Sequence, residues 1–241
     1  MRWIGGAVVA SFVSCDKMVP ESIMQGGAFD EFSTNVTIYA DGDEVVYETN
    51  GLPDHVSPYW GEGHELYVEP TVTTTEDMAP GNIDRFQGSF TLRVPAEPQL
   101  ADEPSATGLG PIGIAVSGAV IYNDREGPNV PLDNAVVSLD FTGAHTGPQS
   151  YHYHLEPIAW SQDDDVLIGV MADGFFLYGR REPELQGFDY PADLDASGGH
   201  VGLTPHNQEP VYHYHVQNEL YLDQYVILFP GDYQGTPNAI Q

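Results

Sequence analysis

Leu139-Asp140-Phe141-Thr142-Gly143-Ala144-His145, followed five residues later by Tyr151-His152-Tyr153-His154, is a phrase this chain uses twice. The second copy runs Leu194-Asp195-Ala196-Ser197-Gly198-Gly199-His200 and, eleven residues later, Tyr212-His213-Tyr214-His215. Six of the nine histidines fall inside the two copies, so whatever the histidines do is done here. Aromatic Tyr-x-Tyr alternation favours an extended chain. In a strand the side chains alternate faces, so Tyr151 and Tyr153 point one way and His152 and His154 the other. Tyr212 and Tyr214 are related to His213 and His215 in the same way.

Two rings one strand period apart, about 6.5–7 Å at Cα, can lean onto one metal ion at the 2.0–2.1 Å bond length zinc requires. His145 and His200 follow the glycines Gly143 and Gly198, and a turn there would fold a third imidazole back onto the strand. One copy then offers three nitrogens and the pair six. Each copy could hold its own ion, or the four strand histidines could close around a single ion in a shared pocket. Neutral imidazole suits zinc, copper, iron and nickel, with zinc or copper the leading expectation. Three protein ligands leave a water position and permit hydrolysis, whereas four make a structural or storage site, so catalysis stays open. Asp140 and Asp195 stand at matching places and could orient an imidazole through its other N–H, or simply form turns. The bland reading is that Tyr and His satisfy one another in a core.

Several motifs together resemble the YHYH protein family. They include Thr49-Asn50-Gly51-Leu52-Pro53-Asp54-His55, similar to its Asn-Gly-x-Pro-x-His segment. Ile112-Gly113 with Ser117 to Asn123 is similar to its strand before the first histidine block. Ile168 to Gly179 is similar to its Gly-x-x-x-Asp-Gly-x-x-x-Tyr-Gly segment. The likeness runs over about residues 45–235. It implies an exported bacterial protein and no defined activity. It brings His55 forward as a further ligand or proton carrier, and Asp173 as a pocket residue. A cysteine common near the second Leu-Asp of that family is replaced here by Ala196 and Ser197.

Composition narrows the classes. Thirty-six acidic residues face seven basic ones. A field that negative repels phosphate backbones and excludes nucleic acid as a partner. The partner classes left are a metal or small molecule, and a membrane reached through a lipid anchor alone. Oligomeric state is not legible. Twenty-six glycines and nineteen prolines, with many β-branched and aromatic residues, suit short strands and turns. The expected fold is all-β, a sandwich or distorted barrel with long loops. Expected strands include Val36–Tyr39 and Val45–Thr49 around Asp41-Gly42-Asp43, Phe86–Val94, one or two buried strands within Ile112–Tyr122 around Gly118, Val166–Val170, Phe175–Tyr178 and Leu220–Phe229. Pro95–Pro111 reads as a loop and Pro230–Gln241 as a tail.

Arg2, the apolar run Trp3 to Val13 and Phe12-Val13-Ser14-Cys15 read as an export signal ending in a lipobox. Cys15 is the only cysteine, so it is the expected lipid attachment point and no disulfide framework exists. Residues 1–15 are set aside as this segment, 16–33 as a tether, and 34–241 as one β domain. The expected place is the bacterial cell envelope or periplasm, with secretion as the alternative. Two other functions compete with metal binding. One is a metal-free module binding carbohydrate or another small ligand, with Trp60 and Trp160 as stacking surfaces. The other is an envelope protein whose histidines only satisfy core polarity. There is no Gly-x-Ser-x-Gly, P-loop, His-Glu-x-x-His or dinucleotide glycine pattern.

Overall fold

The computed structural model describes residues 27–70, 83–147, 150–183 and 188–241. The lipobox with Cys15 and most of the expected tether lie outside the described residues. Among the described residues the fold is all-β, with several sheets, none closed into a barrel, in the manner of a sandwich. Strand β1 (Val36–Asp41) turns through Gly42-Asp43 into β2 (Glu44–Thr49), and β3 (Phe90–Pro95) pairs with the other side of β2. Gly42 has φ +67°, the left-handed value such a two-residue hairpin turn needs. Strand β4 (Leu100–Ala106) lies within the stretch expected to be loop.

The eight-stranded sheet follows, and its topology repeats. Hairpin β5 (Gly113–Ala115) to β6 (Val120–Ile121) leads through the short β7 (Arg125–Gly127) and β8 (Val130–Pro131). It continues to hairpin β9 (Ala144–Gly147) and β10 (Ser150–Tyr153), and β10 lies parallel to β6. Hairpin β11 (Leu167–Met171) to β12 (Phe176–Tyr178) leads through β13 (Glu182–Pro183) and β14 (Phe188–Asp189). It continues to hairpin β15 (Gly199–Thr204) and β16 (Asn207–His215), and β16 lies parallel to β12. The sheet order is β15-β16-β12-β11-β5-β6-β10-β9. Its two halves meet antiparallel at β11 and β5.

The hydrogen bonds obey the same two-fold relation. Val116 N–H donates to Ile168 O at 2.9 Å, and Ala172 N–H donates to Ile112 O at 2.9 Å. These are one contact seen from either half. The sequence carries the relation as Ile-Gly-x4-Gly-x3-Tyr-x-x-Arg-Glu, once at Ile112–Glu126 and once at Ile168–Glu182. The duplication therefore reaches well upstream of the histidine blocks.

The four central strands are buried on both faces, which explains their short, unbroken apolar runs. One face packs against the three-stranded sheet. Val45, Tyr47, Leu92 and Val94 join Ile112, Ile114, Ile168, Val170, Tyr151, Tyr153 and Tyr214 in one core. Strand β17 (Asp232–Gly235) pairs with β4, and Thr91 and Gln241 exchange backbone bonds of 2.7 and 3.0 Å.

Three sequence expectations change accordingly. The segment expected to end in a loose tail is docked, because β4 and β3 offer it unpaired edges. Leu220–Phe229 forms turns and isolated bridges instead of a strand. Residues 27–33, expected as tether, belong to the fold: Ala28 is buried, and Phe29 and Phe32 pack their rings against Tyr47.

At the junction of the halves, a Cβ on Gly169 would lie 2.3 Å from Ile114 O and 2.8 Å from Ala115 Cα, both backbone. Neither neighbour can yield without parting β5 from β11. Gly169→Ala is therefore expected to cost about 3 kcal/mol or more, the upper range for overpacking. Gly108→Ala, with nothing within 4 Å of the new methyl, should change stability by less than about 0.5 kcal/mol. Urea unfolding of the two variants checks this, and equal midpoints would contradict the close approach.

Candidate metal centres

The aspartates, glycines and tyrosines of the duplicated phrase build the frame for its histidines. Asp140 Oδ1 accepts from Thr142 N–H at 2.8 Å, and Asp195 Oδ1 accepts from Ser197 N–H at 2.8 Å, each closing a tight turn. Gly143 and Gly198 complete those turns at φ +84° and +81°, values that favour glycine. The second carboxylate oxygen accepts from the first tyrosine of the tetrapeptide, Tyr151 at 2.8 Å and Tyr212 at 2.7 Å. The second tyrosine bonds to the hairpin loop of its own half, Tyr153 to Ser117 at 2.8 Å and Tyr214 to Asp173 at 2.5 Å. The tyrosines thus fix the strand on one face and leave the histidines to the other.

On that other face, the structure forms two separate clusters. His145, His152 and His154 make one, and His200, His213 and His215 the other; all six are buried. The third ring does not fold back from a turn. It comes from the neighbouring strand, where His145 stands directly across from His152 and His200 across from His213. The expectation of a single shared pocket is corrected here. Strands β10 and β16 are five strand intervals apart, about 24 Å along a flat sheet.

The protons can be assigned from the partners. His152 Nδ1 meets Ser150 O at 3.2 Å, and His154 Nδ1 meets Asn123 O at 2.6 Å. His213 Nδ1 meets Val211 O at 2.9 Å, and His215 Nδ1 meets Gly179 O at 2.8 Å. A carbonyl can only accept, so each of these Nδ1 atoms donates. His145 Nδ1 lies 2.7 Å from Ser138 Oγ, whose own proton goes to Ala135 O, so it donates too. His200 Nδ1 donates to the Asp193 carboxylate at 2.8 Å. In the neutral ring the other nitrogen then carries a bare lone pair.

Those lone pairs point at one another. His145 Nε2 and His152 Nε2 are 3.0 Å apart, and His213 Nε2 and His215 Nε2 are 2.8 Å apart. His154 Nε2 and His200 Nε2 are buried with no hydrogen-bond partner among the described residues. Converging lone pairs repel unless a cation lies between them. A proton is a poor candidate, because burial, reinforced by neighbouring rings, pushes the imidazoles down: His145 and His215 to about 3, and His152 well below its ordinary value. Burial takes His154 and His213 to about 4, against a backbone bond that favours protonation.

Sequence reasoning missed Glu126 and Glu182. Glu126 Oε1 lies 3.4 Å from His145 Nε2 and 3.3 Å from His154 Nε2, and Glu182 Oε1 lies 3.7 Å from His200 Nε2. The signal was the repeated Tyr-x-x-Arg-Glu at Tyr122–Glu126 and Tyr178–Glu182.

Several expected site residues are elsewhere. Asp140 and Asp195 form turns and hold tyrosines; they touch no imidazole. Asp173 is buried on the tyrosine face, accepting from Tyr214, Gly235 N–H and Phe175 N–H. His55 is on that face as well, its Nε2 2.6 Å from Tyr153 Oη, so it cannot be a ligand. Trp60 is buried and stacked on His64, while Trp160 packs on Tyr153, so neither offers an open platform for a sugar. Arg180 and Arg181 hold carboxylates of the fold, Glu156 at 3.1 Å and Asp163 at 2.9 Å.

The first centre and most of the sheet's central strands fall within residues 91–185, which match the family model described as YHYH protein. Over that stretch the chain is similar to the YHYH family. The match is narrower than the 45–235 over which the motifs run, and ends before the second histidine block. That block is related to the first by the internal repeat. No curated protein and no solved structure matches the chain.

Depressed imidazoles make the metal-free protein acid-sensitive. An unfolded histidine titrates near 6.5, so below that pH the folded state binds fewer protons than the unfolded one. Stability from this source is complete above about pH 6.5 and is lost as the pH falls toward about 4, at up to about 1.4 kcal/mol per pH unit for each such ring. Metal-free protein should lose more stability between pH 7 and 5 than its His154→Phe variant. Urea unfolding at both pH values reads the difference, and equal losses would contradict the assignment.

Proposed function

We propose that this protein binds two transition-metal ions, one in each triad of imidazoles. One observation carries the reading: six Nε2 atoms, stripped of protons by the bonds their Nδ1 partners make, converge in two buried groups. A core that merely satisfied polar atoms would place a donor opposite each acceptor. Here His154 Nε2 and His200 Nε2 have no hydrogen-bond partner among the described residues. The donor set suits zinc or copper, and the Nδ1 bonds to carbonyls and Asp193 are the supports that ligating histidines ordinarily have.

The acidic chain favours capture of divalent cations from a dilute medium. The apolar segment Trp3 to Val13 and the lone Cys15 support a place in the cell envelope, with the domain held by lipid. Labelling with a fatty-acid analogue tests that place; incorporation should disappear in Cys15→Ser.

Metal analysis of untagged protein tests the function. Two ions per chain are expected. His152→Ala should leave one ion and His213→Ala one, and the double variant none. Metal-free wild-type protein of unchanged stability would overturn the reading.

One observation favours a second reading, a small-ligand module. A cavity of about 720 Å³ is lined by Tyr47, Phe175, Phe176, Tyr178, His206 and Tyr212. Thermal-shift screening of metal-free protein against soluble carbohydrates tests it, and an unshifted melting temperature throughout would remove it.

A further inference from the structure

We propose that Glu126 and Glu182 are the fourth ligands, so that each centre is a closed tetrahedron of three imidazoles and one carboxylate that selects zinc. The inference rests on the metal reading above and adds to it the coordination number, the metal and the absence of a water position.

The first argument is the repeat. Between the hairpin and the histidine block, both halves keep Tyr-x-x-Arg-Glu. The tyrosine lies against a histidine ring in each half: Tyr122 stacks on His152 at 3.8 Å between centroids, and Tyr178 meets His213 edge-on at 5.4 Å. The arginines face other carboxylates, Arg125 beside Asp124 and Arg181 on Asp163. Glutamate is the member of the repeat that brings an anionic oxygen to the triad. It does so from opposite ends of the sheet, on β7 and β13, which share no environment except their relation to the histidines.

The second argument is distance. Metal bonds of 2.0–2.1 Å at tetrahedral angles put neighbouring ligand atoms about 3.3–3.4 Å apart. Glu126 Oε1 is 3.3 Å from His154 Nε2 and 3.4 Å from His145 Nε2. It stands at tetrahedral spacing from two of the three nitrogens. A carboxylate working as a base on a metal-bound water would stand one hydrogen bond further out.

Glu182 Oε1 is slightly looser, 3.7 Å from His200 Nε2, because it also accepts from Leu203 N–H at 3.2 Å. That backbone bond holds the carboxylate facing the triad before any ion arrives. The third argument is the pair of unpartnered nitrogens. His154 Nε2 and His200 Nε2, one in each triad, each lie beside one of these carboxylates, and a cation bound to both ligands satisfies each.

The donor set then discriminates among metals. Copper(I) is drawn to sulfur and copper(II) to tetragonal geometry, and neither is met by three imidazoles and one oxygen at tetrahedral spacing. Zinc takes that arrangement without electronic penalty. With four protein ligands no position remains for water, so the centres brace the sheet at its two ends rather than hydrolyse a substrate.

Cobalt(II) is the probe, because its visible spectrum reports coordination number. Full-length untagged wild-type protein should bind two cobalt ions with the intense absorption of four-coordination, unchanged by millimolar azide. Glu126→Ala and Glu182→Ala should each open one centre, giving a shifted spectrum that responds to azide and a zinc affinity at least tenfold weaker at that centre. Glu126→Gln, which keeps the shape, should weaken zinc as well. Melting of the metal-free Glu126 variants should match metal-free wild type, which separates ligand loss from misfolding. Two bound ions with azide-sensitive wild-type spectra, or variants whose spectra and zinc affinity equal wild type, would overturn this inference and leave the three-imidazole reading standing. Wild-type protein that binds no ion would overturn both.

Discussion

Six ring N–H groups, each donated to an oxygen of the fold, determine what the rest of this molecule can do. Four go to backbone carbonyls, one to Ser138 and one to Asp193. A carbonyl at hydrogen-bond distance decides the tautomer more firmly than any side chain, because it cannot return a proton. Once the Nδ1 positions are committed, the Nε2 lone pairs have only the centre of each triad to face. On the proposed reading, a bound cation would offset the cost of bringing them together.

The scaffold is arranged to keep those carbonyls where they are. His154 reaches Asn123 O and His215 reaches Gly179 O, each just past the end of the strand that lies parallel to its own. A parallel neighbour places a carbonyl alongside the second histidine, and an antiparallel neighbour places the third histidine opposite the first. The unusual mixture of parallel and antiparallel pairing in each half is what converts two strands into a three-nitrogen site. The halves are then joined back to back through Gly113 and Gly169. A side chain at either position would meet the backbone of the neighbouring strand. The two centres end up at opposite ends of one rigid sheet, sharing a support but no ligand.

Much of this was written in the sequence. The alternation Tyr-His-Tyr-His fixed which residues share a face, and the doubled phrase fixed how many nitrogens there are. The all-β class followed from turns and β-branched runs, and the hairpins at Asp41–Glu44, Val116–Ala119 and Ala172–Phe175 lie where glycine allows a positive φ. The parts that stayed hidden depend on long-range pairing. Nothing local tells that His145 faces His152 across a ladder, or that β10 and β16 are kept apart by four other strands. Asp140, Asp173 and His55 looked like parts of the site because they are near it in sequence or motif; a period of two places their tyrosine partners on the reverse face. Strands β4 and β17 were passed over because Pro104 and Gly235 lower the local propensity, while edge pairing tolerates both. The glutamates were visible in principle, since aligning Ile112–Glu126 with Ile168–Glu182 exposes them, but one charged residue in so acidic a chain draws no notice alone.

The tautomers themselves are the most direct test. Nitrogen-15 NMR of the six imidazoles in metal-free protein at neutral pH distinguishes a protonated nitrogen from a bare one. This account predicts protonated Nδ1 and bare Nε2 in His145, His152, His154, His200, His213 and His215. Protonated Nε2 in any one triad, with the proton shared between rings, would contradict it.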